Sequence, residues 1–334
     1  MSDPDFLADG GPADGGLGGG RCSVFHLAHA EDDRHFEMGD YEGPVARWCA
    51  GCGDHSVLTA VRRLLADEQL KPERTVFVSG IGCSSRFPHY LKTYGFHGIH
   101  GRALPVATGV KLSRPDLKVF VVMGDGDCIS IGAAHWIHAL RYNVDMVALL
   151  LDNNIYGLTK KQTSPTTPRG YRTNTQPSGS YLPAMNPLEA TLGVTNASFV
   201  AQTAEWVPAH LFATLQAAHR HRGFSFVRVL QRCPHFTPDM YGDVVKNPAQ
   251  VEMLVHDDGI VVPELDRIFE QKRPHDPADL DEARVLAEEM DQIRLGLFFR
   301  DESHPRYEET RHLPHHTAAD KIRLLHEEFD RYAV

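Results

Sequence analysis

The feature that most constrains the fold of this chain is an alternation of short apolar segments with amphipathic helical segments. The apolar segments are rich in β-branched and aliphatic residues and bounded by turn residues, as buried parallel strands are. They are Thr75–Ser79, Val119–Met123, Met146–Leu151 and Ser225–Leu230. The helical patterns alternate with them at Ser56–Leu65, Ile129–Tyr142 and Val207–Arg220. We therefore predict an α/β fold with a doubly wound, mainly parallel sheet.

The chain divides by composition into three predicted parts. Residues 1–40 should form a flexible tail or extension, because the Gly-rich stretch within them buries too little apolar surface to become ordered. Residues 41–262 hold the alternating pattern and should form the main domain. Residues 263–334 should form a C-terminal extension that ends in a helix with an apolar stripe, which is either core or a contact with a partner. The stripe consists of Ala318, Ile322, Leu325 and Phe329.

Charge and hydropathy exclude two classes of function. The 334 residues carry a formal net charge of −10, which gives nucleic-acid binding no electrostatic support. No apolar run reaches the length of about 18 residues that predicts a membrane span. The first 20 residues also lack the basic and apolar segments of a secretory signal. We expect a cytoplasmic protein with no nucleic-acid partner and no membrane partner.

Polar residues follow two of the predicted strands at the point where each strand ends. Gly124-Asp125-Gly126-Asp127 follows the second strand, and Asp152-Asn153-Asn154-Ile155-Tyr156-Gly157 follows the third. A strand–helix–strand crossover brings both loops to the carboxyl ends of parallel strands, where open α/β sheets bind ligands. Glycines and a helix start suit a phosphate there, and carboxylate and amide oxygens suit Mg²⁺. The two loops therefore predict a magnesium and phosphate site.

The cysteines indicate a second site at the same edge of the sheet. Cys49 and Cys52 form a C-x-x-C pair, and Cys83 and Cys233 each follow a predicted strand. Four thiolates suit either an iron–sulfur cluster or zinc. A structural zinc site usually combines two short C-x-x-C units, whereas this sequence has one such unit and two single cysteines. The spacing favours a cluster.

The G-D-G and N-N pair resembles the thiamine-diphosphate motif, in which the second element follows after nearly thirty residues. In that family the Asp, the Asn and a backbone carbonyl two residues past the Asn hold the Mg²⁺ of the diphosphate. Carried over to this sequence, the ligands are Asp125, Asn153 and the carbonyl of Ile155. Asn154 is a lesser candidate.

Trp48-Cys49-Ala50-Gly51-Cys52-Gly53, then Ile81-Gly82-Cys83-Ser84-Ser85-Arg86, then Cys233, resemble the β subunit of 2-oxoacid:ferredoxin oxidoreductases. Supporting matches are His100-Gly101-Arg102-Ala103 and Ser164-Pro165-Thr166. The resemblance covers roughly residues 45–236. It implies that Cys49, Cys52, Cys83 and Cys233 hold one [4Fe–4S] cluster, and that the main domain binds thiamine diphosphate.

The resemblance also implies the residues that surround the cofactor. They are Ile81, Gly82, Cys83, Ser84, His100, Gly124, Gly126, Asp127, Gly157 and Leu158. His100 and Arg86 are the predicted catalytic residues, with Arg86 holding a substrate carboxylate that its guanidinium group matches in shape. A structural histidine and a surface salt bridge are the alternative interpretations of these two residues.

The implied reaction is the coenzyme-A-dependent oxidative decarboxylation of a 2-oxoacid, with electrons passing through the cluster to ferredoxin. The segment Gly80–Pro88 is most similar to users of 2-oxoglutarate, and pyruvate is the alternative substrate. The resemblance implies an alpha or fused gamma–alpha subunit as partner, and the single occurrence of the motif pair is consistent with this. A thiamine-diphosphate decarboxylase or synthase without redox chemistry, a zinc-stabilised binding module and a non-catalytic subunit are the rival interpretations.

Overall fold

The computed structural model describes residues 34–289, 292–310 and 317–332. The predicted tail up to residue 33 therefore lies outside the described residues. The strands are β1 (Thr75–Ser79), β2 (Tyr94–His97), β3 (Lys118–Gly124), β4 (Met146–Asp152), β5 (Phe199–Ala204), β6 (Phe224–Leu230), β7 (Val251–Val255), β8 (Lys272–Pro274) and β9 (Ile293–Arg300).

One helix precedes the first strand, and the others lie between the strands and after them. They are α1 (Asp54–Asp67), α2 (Ala103–Ser113), α3 (Ala133–Tyr142), α4 (Pro187–Leu192), α5 (Pro208–Arg220), α6 (Gly242–Lys246), α7 (Leu280–Glu288), α8 (Tyr307–Thr310) and α9 (Ala318–Arg331). Short 3₁₀ turns are Met38–Tyr41, Pro72–Arg74, Ser84–Tyr90, Pro248–Gln250 and Pro263–Arg267, and a π-helical turn at Asp127–Ile131 precedes α3. Within the described residues, every helix is too short or too polar to cross a bilayer.

The strands form one sheet in the order β2-β1-β3-β4-β6-β5-β9-β7-β8. All pairings among the described strands are parallel except that of β5 with β9, which is antiparallel. β3 and β4, which precede the two motif loops, are neighbours, and Gly124 lies opposite Leu151. The two loops therefore leave the sheet at the same level.

Helices cover both faces of the sheet. Successive residues of a strand point to opposite faces and therefore pack against different helices. Val76 and Val78 of β1 belong to a buried cluster with residues of α2, α3, α4 and α7. Phe77 between them belongs to a second cluster, with residues of α1 and α5. The prediction of a doubly wound, mainly parallel α/β sheet is confirmed.

The four predicted strands are present within one or two residues of their expected ends, whereas five others were not predicted. β9 is the most informative of these, because it lies in the predicted C-terminal extension and yet pairs with both β5 and β7 of the sheet. The boundary at residue 262 remains a prediction. The helical end is present as α9, whose Leu325 and Phe329 are exposed in the structure.

Candidate active site

The loops that follow β1, β2, β3 and β4 line one cavity of about 90 Å³, open to solvent. We call it the edge cavity. The structure brings all the predicted cofactor-binding residues and all three predicted Mg²⁺ ligands to its wall. These are Ile81, Gly82, Cys83, Ser84, His100, Gly124, Asp125, Gly126, Asp127, Asn153, Ile155, Gly157 and Leu158. Tyr156 and Thr159 complete the wall and were not assigned a role from the sequence.

Asp125 is the buried carboxylate of the edge cavity, with 2% of its surface exposed. Its Oδ2 accepts hydrogen bonds from the hydroxyls of Ser164 and Thr166, the latter at 2.7 Å. Burial and then the charge of Asp152 raise the pKa of Asp125 to about 7, against the effect of the two hydroxyls. A carboxylate that is costly to ionise in a dry site favours a cation beside it.

The two asparagines that follow β4 are used differently. Asn153 lies on the cavity wall, and its Oδ1 accepts the backbone N–H of Ile155 at 3.2 Å. Asn154 is buried and has a positive φ of 59°. Its Nδ2 donates to the Thr166 carbonyl at 3.0 Å, and its Oδ1 accepts from the hydroxyl of Tyr241 at 2.8 Å. Asn154, the lesser candidate for the metal, is instead part of the support behind the cavity.

Asp127 ties together three loops of the edge cavity. Its Oδ1 accepts the backbone N–H groups of Ile81 at 3.2 Å and Gly101 at 2.7 Å, and it lies 2.6 Å from His100 Nδ1. Its other oxygen, Oδ2, is buried and has no hydrogen-bond partner among the described residues. The carboxylate therefore fixes the orientation of the His100 ring and leaves Nε2 as the nitrogen that can act elsewhere.

Gly126 allows Tyr156 to pack directly on the backbone after β3. A Cβ atom at this position would overlap the Tyr156 ring, so that a larger residue would displace it. The Tyr156 hydroxyl donates to the Gly126 carbonyl at 3.0 Å. The G-D-G motif thus has a packing requirement in addition to leaving room for a ligand.

Cys49, Cys52, Cys83 and Cys233, which we call the cysteine group, lie on three segments at the same edge. The backbone N–H of Gly53 donates to the Arg232 carbonyl at 3.3 Å, and Trp48 Nε1 donates to the Cys83 carbonyl at 2.7 Å. Cys83 interacts electrostatically with Cys49 and Cys233, and Cys52 with Cys233. The segments are thus held together by contacts that do not involve the thiols.

Two thiols of the cysteine group, those of Cys52 and Cys83, are hard to ionise without a cation. Burial and then the charge of Asp54 raise the pKa of Cys83 to about 12 and raise that of Cys52 further. Among the described residues, no three His, Cys, Asp or Glu side chains are close enough to share one metal ion.

Arg86 lies outside the wall of the edge cavity. Its Nη1 donates to the Arg47 carbonyl at 3.2 Å, and its guanidinium carbon is 5.7 Å from the centre of the Tyr90 ring. Its charge partly offsets the burial that raises the pKa of Asp54 and of Cys83. The structure therefore gives Arg86 neighbours on the cysteine side, and its contact with a substrate remains a prediction.

The sequence reasoning missed the residues that support Asp125 from behind. Asp152 and Arg228 form a buried ion pair at 2.6 Å, and Thr166 lies between Asp152 and Asp125. The available signal was the segment Ser164-Pro165-Thr166, which was noted only as a match. Arg228 gave a weaker signal, as a charged residue within an otherwise apolar strand.

Fold and site together define a thiamine-diphosphate-binding domain. Residues 80–229 match the family model described as thiamine pyrophosphate enzyme, C-terminal TPP binding domain. A 2-oxoacid:ferredoxin oxidoreductase β subunit of a Sulfolobus species is 36% identical over 269 residues, which cover 78% of this chain and 84% of that protein. The chain belongs to the β subunits of 2-oxoacid:ferredoxin oxidoreductases, as its motifs predicted.

Two further relatives concern 2-oxoglutarate. The 2-oxoglutarate oxidoreductase subunit KorB of Mycobacterium tuberculosis is 48% identical over 208 residues, or 62% of this chain. The chain spans just over half of that protein, 56% of its length. A solved 2-oxoglutarate:ferredoxin oxidoreductase of Magnetococcus marinus, with 2-oxoglutarate, coenzyme A and succinyl-CoA bound, has a TM-score of 0.73 and 35% identity. That match covers 89% of this chain and 97% of the other.

Proposed function

We propose that this chain is the thiamine-diphosphate and [4Fe–4S] subunit of a cytoplasmic 2-oxoglutarate:ferredoxin oxidoreductase. With an alpha or fused gamma–alpha subunit, it would catalyse the coenzyme-A-dependent conversion of 2-oxoglutarate to succinyl-CoA and CO₂, with ferredoxin taking the electrons. Two relatives named for 2-oxoglutarate support this substrate over pyruvate. A reducing compartment suits an enzyme whose four cysteines must remain thiols until iron binds.

The observation that carries the proposal is the position of Cys83 in both sites. It lies on the wall of the edge cavity, and it also interacts electrostatically with Cys49 and Cys233. A Cβ atom placed on Gly157 of the cavity would be 3.4 Å from the Cys83 sulfur. A decarboxylase or synthase without redox chemistry has no use for a thiol group in this position, so the arrangement favours an oxidative reaction.

The residues of the edge cavity fit Mg²⁺ and a diphosphate. Asp125, Asn153 and the Ile155 carbonyl would hold the cation through hard oxygen atoms, with the diphosphate supplying others. The wall also carries the backbone of Gly124, which has no side chain of its own to keep a ligand away. When bound, thiamine diphosphate supplies the carbanion chemistry of the decarboxylation.

The residues of the cysteine group fit a four-iron cluster by number and donor chemistry. Binding of iron would deprotonate these thiols. The positive charge of the iron would offset the burial and the Asp54 charge that raise the pKa of Cys83. When bound, a [4Fe–4S] cluster supplies one-electron transfer.

The chain's own residues would bind and orient the substrate. Asp127 would hold His100 with its Nδ1 turned to the carboxylate, so that Nε2 is available to exchange a proton or donate to the substrate. Arg86 is proposed to hold a substrate carboxylate, although its neighbours are on the cysteine side. The family resemblance implies a glutamate that faces the aminopyrimidine ring of the cofactor. We propose that the partner subunit supplies this glutamate.

An anaerobic assay of the complex tests the proposal. The chain is co-produced with its partner subunit to give the complex. Reduction of a viologen dye is then measured with 2-oxoglutarate, pyruvate and 2-oxobutyrate, each with and without coenzyme A. We expect the fastest reduction with 2-oxoglutarate and strict dependence on coenzyme A. Release of CO₂ without dye reduction would contradict the reaction class. Faster turnover of pyruvate would contradict only the substrate.

A further inference from the structure

Behind Asp125 lies a buried row of polar groups that does not line the edge cavity. The hydroxyls of Ser164 and Thr166 both contact the same atom, Asp125 Oδ2. Thr166 Oγ1 also lies 2.7 Å from Oδ1 of Asp152. Ser164, Thr166 and Asp152 are 4%, 1% and 0% exposed. One threonine hydroxyl therefore stands between two buried carboxylates.

The far end of this row is anchored on the sheet. Arg228 of β6 lies against β4 and donates to Asp152 Oδ2 from Nε at 2.8 Å and from Nη2 at 2.6 Å. Its Nη1 also donates to Gln202 Oε1 at 3.1 Å on the neighbouring strand. The guanidinium group is thus fixed from two strands and provides the countercharge of Asp152.

The proton count of the row decides which aspartate each donor serves. A hydroxyl has one proton, so Thr166 can donate to only one of its two carboxylate neighbours at a time. Asp152 already has two N–H donors from Arg228. The Thr166 proton is therefore free to serve Asp125, and Ser164 adds a second donor to the same oxygen. The row satisfies Oδ2 of Asp125 and makes no use of Oδ1.

We propose that Thr166 and Ser164 are positioning residues for the divalent cation of the edge cavity, with the Asp152–Arg228 pair anchoring Thr166. They would hold the Asp125 carboxylate in one orientation by Oδ2, so that Oδ1 is the oxygen offered to the cation. This inference rests on the proposed function, because it assumes that Asp125 binds Mg²⁺. It gives the Ser164-Pro165-Thr166 segment a role at a site almost forty residues earlier in the chain.

Binding of Mg²⁺ to the complex tests this inference through affinity, independently of turnover. The heteromeric complex is stripped of thiamine diphosphate and Mg²⁺, and cofactor retention is measured by equilibrium dialysis as Mg²⁺ is added. We expect Thr166→Val to raise the half-saturating Mg²⁺ concentration about tenfold to a hundredfold, as the loss of a residue supporting a ligand does. Ser164→Ala should act in the same direction, and Thr166→Ser should restore most of the affinity.

Thr191→Val is the matched control. The Thr191 hydroxyl in α4 is fully buried, like that of Thr166, but it donates to the Pro187 carbonyl of the same helix at 2.6 Å. We expect a nearly unchanged Mg²⁺ requirement in this variant, and unchanged visible absorption of the cluster in all four. Equal losses in Thr166→Val and Thr191→Val would overturn the inference, as would wild-type affinity in Thr166→Val. Wild-type complex that retains no cofactor with Mg²⁺ would overturn the proposed function as well.

Discussion

The edge cavity and the cysteine group lie at the same edge of one sheet, but their buried polar groups are satisfied in different ways. In the cavity, Asp125 has hydroxyl donors and Asp127 has two backbone donors before any ligand is considered. In the cysteine group, the pKa values of Cys52 and Cys83 are raised by burial and by the nearby Asp54. The edge cavity is organised by hydrogen bonds within the chain. In the cysteine group, the thiols of Cys52 and Cys83 favour the neutral form, and iron would have to deprotonate them.

Because the polar groups of the two sites are satisfied differently, loss of a ligand should affect the edge cavity and the cysteine group unequally. A carboxylate that keeps its hydrogen bonds can stay in place without its cation. Thiols that become ligands only as thiolates couple metal binding to local folding. We therefore expect changes in the cavity to weaken binding while the fold persists, and changes in the cysteine group to alter the fold of the sheet edge as well.

The largest effect is expected for Cys83→Ala, because this residue belongs to both sites. Iron content and visible absorption should be lost, together with all dye reduction, since three thiolates complete the cluster poorly. Cys128→Ala is the control, because Cys128 is a free cysteine that is fully buried in the core behind the cavity and lies outside the cysteine group. Iron analysis of both variants checks this. Full iron content in Cys83→Ala would break the assignment of the cysteine group.

Asp125→Asn should have the next largest effect. The substitution retains the shape of the side chain and removes the charge that balances the cation, so thiamine diphosphate should be lost or bound at least tenfold more weakly. Cluster absorption should stay at the wild-type level, which separates this site from the cysteine group. Cofactor content after gel filtration is the measurement, with Asp116→Asn on the surface as control. A variant with full cofactor content would mean that the cation binds elsewhere.

Arg86→Ala tests whether Arg86 acts on the substrate or on the cysteine group. If it binds a substrate carboxylate, losing a hydrogen bond to a charged group costs about 1.5–3 kcal/mol, or about a tenfold to hundredfold loss of kcat/KM. A loss confined to 2-oxoglutarate would assign Arg86 to the distal carboxylate, and an equal loss with pyruvate to the shared one. Unchanged kinetics with an altered reduction potential of the cluster would instead place its action on the thiolates through the electrostatic contact with Cys83. Arg86→Lys is the charge-retaining control.

The smallest effect on the two sites is expected for His210, which influences the stability of the fold instead. Burial lowers the pKa of His210 in α5 from 6.5 to about 4, and its Nε2 has no partner among the described residues. The folded state therefore favours the neutral ring, so the stabilisation is complete above pH 6.5 and is lost as the pH falls toward 4. The loss should be about 3 kcal/mol relative to His210→Asn. The difference in the free energy of unfolding across this range checks it, since Asp54 and Asp125 affect both proteins alike. A pH-independent difference would contradict the assignment.

The sequence predicted the edge of the sheet better than what lies behind it. Asp125 and Asn153 follow strands that are recognisable as apolar runs, so the position of their loops follows from the topology of parallel sheets. The contact of Asp125 with Thr166 could not be predicted in this way, because it depends on the path of an irregular segment across the sheet end. The role of Asp54 was not predicted either: it is the first residue of α1, is buried beside Cys52 and shapes the thiol environment.

The position of β9 also bears on the order in which the molecule is built. β7 pairs with both β9 and β8, and among the described strands only β9 connects this pair to β5. The strands up to β6, which carry the edge cavity and Cys83, need no later residue for their pairing. Contacts between distant parts of a chain form late, because a long loop must close first. We therefore expect the catalytic half of the sheet to assemble during synthesis, and β7 to remain unattached until residue 300 has left the ribosome.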